Sequence, residues 1–243
     1  MPAPSCKVVL VRPRDPNNIG AVARAMKNFG FRDLWVVTPH PPLWSEIVSA
    51  PNAEDVLTSA RVVATLDEAI SDCNLVVGTG DPTRANAERP LCTPAELSRV
   101  LRQTSYQLAL VFGPEKHGLT NEDFCRCHRL LAIPTQPNCP SMNLGQAAAV
   151  CLYELTREAA NTTPLSSDQA TAGASEAAMQ LALEVMRQTG FVLPGNEPDL
   201  TRRTRQALLK YQLSSYDTNF ICGVLRKIID VISPTTAHEA DMK

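Results

Sequence analysis

Four short stretches of this 243-residue chain combine glycine, amide and charged side chains in ways that can bind a ligand or act on one. The first is Arg12-Pro-Arg14-Asp-Pro-Asn17-Asn18-Ile-Gly20-Ala-Val-Ala-Arg24-Ala-Met-Lys27. It sets two amides at what reads as a helix start, where free N–H groups favour an anion, and follows them with Arg24 and Lys27 one turn apart. Taken alone, it is equally well read as two solvated charges. The second, Val76-Val77-Gly78-Thr79-Gly80-Asp81-Pro82, opens like a dinucleotide-binding turn, but the third glycine of that fingerprint is missing and Pro82 removes an amide. Contact with a nucleotide through exposed backbone stays open. The third, Phe112-Gly113-Pro114-Glu115-Lys116-His117-Gly118-Leu119-Thr120, has the glycine spacing of a phosphate-binding loop. Leu119 stands where the phosphate-binding lysine must be, which excludes ATP or GTP hydrolysis. The fourth is Ser141-Met142-Asn143-Leu-Gly145-Gln146, entered from a loop stiffened by Pro134, Pro137 and Pro140. By themselves, Ser141 and Asn143 read as helix caps.

No serine nucleophile elbow and no paired carboxylates occur. The histidines His40, His117, His128 and His238 have no readable partner. His117 alone lies in a candidate loop, where a surface hydrogen-bonding role is the simpler reading. Cys125-Arg-Cys127-His128 resembles half a zinc site but lacks a second ligand pair, so no metal is expected.

The elements that must position these stretches alternate. Apolar, β-branched runs at 8–11, 34–37, 62–64, 75–77, 108–112 and 130–133 are separated by segments of helical period. That pattern predicts an α/β domain with a parallel sheet covered on both faces. Asn18 is expected to cap a helix over 19–29, with Gly30 at its left-handed end. Thr93-Pro94-Ala-Glu96 and Thr120-Asn-Glu-Asp123 predict two more helix starts, and Asn143 begins a helix that runs to about residue 160.

Residues 161–174 are small, polar and aperiodic and read as a linker. The domain therefore spans 1–160, and a helical extension occupies 175–243. In the extension Met179, Ala182, Leu183 and Met186 share a face ended by Gly190, and helices follow over 200–213 and 220–232. The last is apolar on more than one side and is expected to pack on something larger than its neighbours. Arg202, Arg203 and Arg205, with Lys210 beyond and no acid over 201–210, read either as a solvated face or as a contact for backbone phosphates.

Composition bounds the partners. With 44% hydrophobic and 20% charged residues the chain is not disordered, and 23 basic against 25 acidic residues give a net charge of −2. No global field draws it to a polyanion, so any nucleic acid must be met by a local patch. No apolar run approaches the ~18 residues of a membrane span, and no signal-peptide core is visible. A cytoplasmic protein with its eight cysteines as free thiols is expected.

In this order, Asn18-Ile-Gly20-Ala-Val-Ala-Arg24-Ala-Met-Lys27-Asn-Phe-Gly30, Phe112-Gly113-x-Glu115-x-x-Gly118-Leu-Thr120-Asn and Ser141-Met142-Asn143-Leu resemble the three motifs of the SpoU branch of the SPOUT RNA ribose methyltransferases. The resemblance covers 7 to about 160, and the extension is similar to that of the TrmJ subfamily. It implies an α/β knot, in which a deep trefoil binds S-adenosylmethionine, and a homodimer with its sites at the subunit interface. It implies tRNA as partner and methylation of the 2′-hydroxyl of cytidine or uridine at position 32, the first nucleotide of the anticodon loop. Another tRNA site, ribosomal RNA or a catalytically silent RNA-binding relative are the alternatives. A metabolic α/β enzyme using a nucleotide cofactor needs a fingerprint this chain lacks.

Carried over position by position, the resemblance sets Thr79, Gly80, Gly113, Ile133, Ser141, Met142 and Asn143 around the cofactor. It implies a catalytic role for Arg24 with Asn18, Glu115, Ser141 and Asn143 around the ribose and target phosphate; beside the resemblance, Lys27 and the basic run of Arg202, Arg203 and Arg205 are the expected RNA contacts. A guanidinium with a pKa above ~12 is a poor base, so Arg24 is read as a fixed cation for the target phosphate and the developing alkoxide. Two places depart from the family pattern: Pro114 in the second motif, where several relatives carry a basic residue, and Gly145-Gln146 in the third.

Overall fold

The computed structural model describes residues 5–39, 50–84, 89–157, 165–166, 168–193 and 195–233. His40, His238, the expected helix beyond 157 and linker positions 161–164 and 167 lie outside the described residues. The chain runs β1 (Cys6–Val11), α1 (Pro16–Asn28), β2 (Asp33–Val37), α2 (Glu54–Thr58), β3 (Arg61–Val63), α3 (Leu66–Ile70) and β4 (Leu75–Thr79). After a 3₁₀ turn at Pro82–Arg84 come β5 (Leu91–Cys92), α4 (Pro94–Gln103), β6 (Thr104–Ser105), β7 (Leu108–Phe112), α5 (Asn121–Phe124), β8 (Arg129–Leu131) and α6 (Leu144–Arg157). A short β9 (Leu165–Ser166) precedes α7 (Ala172–Gln188), α8 (Glu197–Tyr211) and α9 (Ser215–Ile232).

Seven strands form one sheet in the order β3-β2-β1-β7-β4-β8-β5, and every pair is parallel. Register places Val8 beside Leu34 and Leu110, and Leu110 beside Val77. Side chains alternate between two cores. Val8, Leu10, Leu34 and Leu110 face Ile19, Met26, Leu97 and Leu152, while Val9, Val11, Val76 and Val111 face Leu66, Ile70, Leu119 and Phe124. Burial on both faces is why these strands are unbroken apolar runs. The two-residue β5 is too short to leave a pattern.

The end chemistry of the helices is largely as expected. Thr93 with Glu96 and Thr120 with Asp123 each form a reciprocal capping box, and Gly30 takes φ +81°. Asn18 is a correction. The cap of α1 is Asp15, whose side chain accepts from the Asn17 N–H at 2.9 Å, because Pro16 suits the first helical turn and starts the helix earlier. The Asn18 side chain is therefore released for contacts outside its own helix.

By compactness the chain divides into one unit of Met1–Ser167 with Thr171–Gly173, and a second of Asp168–Ala170 with Ala174–Lys243. Where it is described, the stretch 161–174 is not structureless. Leu165–Ser166 pairs with Thr104–Ser105, and the N–H groups of Ala172 and Gly173 reach the carbonyls of Cys73 and Ser71 at 2.7 and 2.9 Å. Small residues permit that approach: a Cβ on Gly173 would sit 2.8 Å from the Ser71 oxygen.

Candidate active site

The loops that follow β1, β4, β7 and β8 contain three of the four singled-out stretches and lead into the fourth, at the carboxyl end of a parallel sheet where such folds place ligands. A hydrogen-bonded line joins stretches far apart in sequence. The Asn143 amide Nδ2 donates to Asn18 Oδ1 at 2.8 Å, and Asn18 Nδ2 donates to Glu115 Oε1 at 3.0 Å. Asn143 also caps α6, its Oδ1 accepting from the Gly145 N–H at 2.9 Å. Glu115 accepts in addition from the backbone N–H groups of Arg14 and Asp15 at 3.2 and 3.3 Å.

Partial burial pushes the Glu115 carboxyl up, but bonds from its own backbone, the Asn18 amide and the Asp15 and Arg14 N–H groups outweigh burial and hold it below the ordinary carboxylate value. Such a group is ionised at neutral pH and fixed in place, so it orders its neighbours better than it takes up a proton.

The loop after β7 is glycine-dependent for an internal reason. A Cβ on Gly113 would lie 2.2 Å from the Leu119 nitrogen, because the chain doubles back over it, and Gly118 turns there with φ +63°. Arg12 and Asp123 hold the loop from the other side and carry no signal in the sequence beyond the Thr120–Asp123 cap. Arg12, at φ +50°, forks its guanidinium onto both oxygens of Asp123, one at 3.2 Å. Burial raises the Asp123 carboxyl, yet Arg12 and Thr120 together bring it below its usual value.

At the end of β4, the Thr79 hydroxyl donates to the Val111 carbonyl at 3.0 Å and the Gly80 N–H to the Leu131 carbonyl at 3.0 Å. Phe124 lies under this turn, 2.7 Å from where a Gly80 Cβ would stand. Among the described residues, the partly buried N–H groups of Gly113, Ile133 and Met142 make no hydrogen bond within the chain. A ligand bearing its own acceptors fits such a rim. Ser141 is exposed in the same loop.

Arg24 and Lys27 turn elsewhere. Arg24 lies about 120° around α1 from Asn18 and donates to the Pro51 carbonyl, while Lys27 pairs with Asp55 at 2.5 Å. The Lys27 hydrogen bond holds the Asp55 carboxyl down. The structure thus joins Asn18, Glu115 and Asn143 and directs Arg24 to a different neighbour.

His117 is exposed, whereas His128 is buried and pairs β8 with β4: its Nδ1 accepts the Val76 N–H at 3.0 Å. Burial pushes the imidazole down to about 4, so it is neutral. Cys125 and Cys127 beside it are buried, and among the described residues no three potential ligands gather as a metal site. In the second unit, Arg205 grips Glu176 through two bonds of 2.9 Å with its side chain 14% exposed. Arg202 and Arg203 are exposed and share Asp199 at 2.5 and 3.5 Å.

Residues 5–153 match the SpoU rRNA Methylase family. The chain is 33% identical over 237 residues to the tRNA (cytidine/uridine-2′-O-)-methyltransferase TrmJ of Cronobacter sakazakii, covering 91% of this chain and 95% of that protein. The crystal structure of TrmJ from Z. mobilis ZM4 superposes with a TM-score of 0.82 at 31% identity, over 94% of this chain and 99% of that one. A putative methylase family protein from Neisseria gonorrhoeae gives a TM-score of 0.63 at 34% identity, over 70% and 90%.

Proposed function

The chain belongs to the SpoU rRNA methylase family, and on that premise we infer that it is an S-adenosylmethionine-dependent tRNA ribose 2′-O-methyltransferase acting on cytidine or uridine. Its fold is the α/β knot that the family implies. The target we propose is the first nucleotide of the anticodon loop, position 32. The observation that carries the reading is the Asn143–Asn18–Glu115 line, which draws all three motifs into one hydrogen-bonded cluster.

The free N–H groups of Gly113, Ile133 and Met142 suit the ring and ribose acceptors of the cofactor, with Thr79, Gly80, Ser141 and Asn143 on the same rim. When bound, the cofactor supplies a methyl group already activated on a sulfonium, so the remaining work is to make the ribose oxygen a better nucleophile. Arg24, permanently charged, pairs with the target phosphate and stabilises the developing alkoxide, and the phosphate or a water accepts the proton. Asn18 and Asn143 offer amides to the ribose, and Glu115 holds Asn18 in register. Because Arg24 faces away from Asn18 on its own helix, a homodimer in which a second copy completes the site accords with this geometry.

In this reading residues 1–160 perform the transfer, 161–174 connect, and 175–243 present tRNA, with Lys27, Arg202 and Arg203 as phosphate contacts and Arg205 as the anchor that orients α8 through Glu176. Among the described residues no helix is long and apolar enough to cross a membrane, and the cytoplasm, where tRNA is modified, is the compartment we propose.

The test is transfer of labelled methyl from S-adenosylmethionine to tRNA and, separately, to ribosomal RNA, followed by nucleoside mass spectrometry. A 2′-O-methylated cytidine or uridine at position 32 is expected. Label at another tRNA position overturns the site, label only in ribosomal RNA overturns the substrate, and cofactor binding without transfer to either overturns the activity.

A further inference from the structure

Several basic side chains of the first unit are already paired: Lys7 with Asp72, Arg12 with Asp123, Lys27 with Asp55, Arg126 with Asp67 and Arg157 with Glu154. Arg14 and Lys116 differ. Both are exposed, and among the described residues neither side chain makes a hydrogen bond or an ion pair. Their loops adjoin, because the Arg14 backbone N–H donates to the carboxylate of Glu115, the neighbour of Lys116, at 3.2 Å. The acids beside them are engaged elsewhere. Glu115 accepts from Asn18 and two backbone N–H groups, Asp15 caps α1 through the Asn17 N–H, Asp123 is held by Arg12 and Thr120, and Glu122 lies 3.5 Å from Arg126.

The Lys116 loop is also built to hold its shape. The Gly118 N–H closes onto the Pro114 carbonyl at 2.8 Å, Gly113 packs against the backbone of 118 and 119, and the Thr120 capping box fixes the exit. A cation on so fixed a turn costs little backbone ordering when it meets a ligand. Arg24 and Lys27 turn to other neighbours, so Arg14 and Lys116 are the cations left beside the Asn143–Asn18–Glu115 line.

We propose that Arg14 and Lys116 form a phosphate clamp that holds the RNA backbone against this line. The inference rests on the tRNA methyltransferase reading and names the side of the site from which the strand is gripped. The planar fork of Arg14 suits two oxygens of one phosphate, and the Lys116 ammonium suits another as a point charge. Such contacts fix the register of the strand without reading its sequence.

The test measures binding of the full chain to an unmodified tRNA transcript by fluorescence anisotropy across a salt series, with methyl transfer assayed on the same samples. Arg14→Ala and Lys116→Ala are each expected to weaken binding on the order of tenfold. Together they are expected to flatten the plot of log affinity against log salt by about 1–2 units. Lys116→Arg, which keeps the charge, is expected to retain the parent's slope. Arg99→Ala removes one exposed charge from α4, away from the line, and is expected to bind as the parent does. Parent-like affinity and slope in the double variant overturn the proposal, as does an equal loss in Arg99→Ala or a loss in Lys116→Arg as large as in Lys116→Ala. If the parent methylates tRNA while the double variant binds as tightly, the clamp alone falls and the assigned activity stands; a parent that neither binds nor methylates tRNA overturns both.

Discussion

At the scale of single residues, the site divides into groups that are held and one that does the holding of charge. Glu115 spends its acceptor capacity on Asn18 and two backbone N–H groups, and Asn143 spends its oxygen on the start of α6. Among the described residues Arg24 meets only the Pro51 carbonyl, and in the proposed reaction its guanidinium faces the target phosphate. Arg24→Lys retains that charge but loses the planar fork, and we expect turnover to fall on the order of 10²–10³-fold with cofactor affinity unchanged. Single-turnover methyl transfer alongside calorimetric titration of the cofactor separates the two. Gly113→Ala acts differently. The added methyl meets backbone that cannot swing aside, and the expected result is a loss of about 2–4 kcal/mol in urea unfolding.

At the scale of elements, the short polar turns are fixed by their caps and the strands by burial on two faces. Those signals are local, which is why strand 108–112 and the Thr93 and Thr120 caps are legible in the sequence to the residue. Asn18 misleads as a cap because an Asn before an apolar helix fits that role, while the stronger Asp15-Pro16 start lies three residues earlier. The Asn143–Asn18–Glu115 line and the Arg12–Asp123 fork link residues about a hundred positions apart, and no local pattern reports such a distance. His128 is opaque for the same reason, since only the β4–β8 pairing gives its imidazole a backbone donor.

Its burial has a pH signature. The folded imidazole titrates near 4 against 6.5 for an ordinary histidine, so between those values the unfolded chain binds a proton that the folded chain does not. Stability must then fall as pH drops through that window, by about 1.4 kcal/mol per unit. Relative to a His128→Asn variant, the parent is expected to lose about 2 kcal/mol more between pH 7 and pH 5, measured as the difference in urea midpoints at constant m-value.

At the scale of the molecule, a chain of net charge −2 must concentrate its attraction for tRNA. Arg202 and Arg203 stand exposed on α8, whereas Arg205 is committed to Glu176. The double change Arg202→Ala/Arg203→Ala is expected to flatten the plot of log affinity against log salt by about 1–2 units for any tRNA sequence, read by filter binding across a salt series. Arg205→Ala is expected instead to lower the melting temperature and leave the slope largely unchanged.

The strand order carries a further consequence for how this protein comes into being. β1 lies beside β7, with Val8 paired to Leu110 about a hundred residues later. On a ribosome adding roughly 5–20 residues per second, one edge of β1 stays bare for on the order of ten seconds before its neighbour is even synthesised. Throughout that interval the nascent chain offers an open, apolar strand edge to any other extended segment in reach. Birth, more than heat or acid, is then the moment of greatest exposure to misassembly, and a holding factor at the exit tunnel protects this chain most by keeping β1 solitary until residue 112 has emerged.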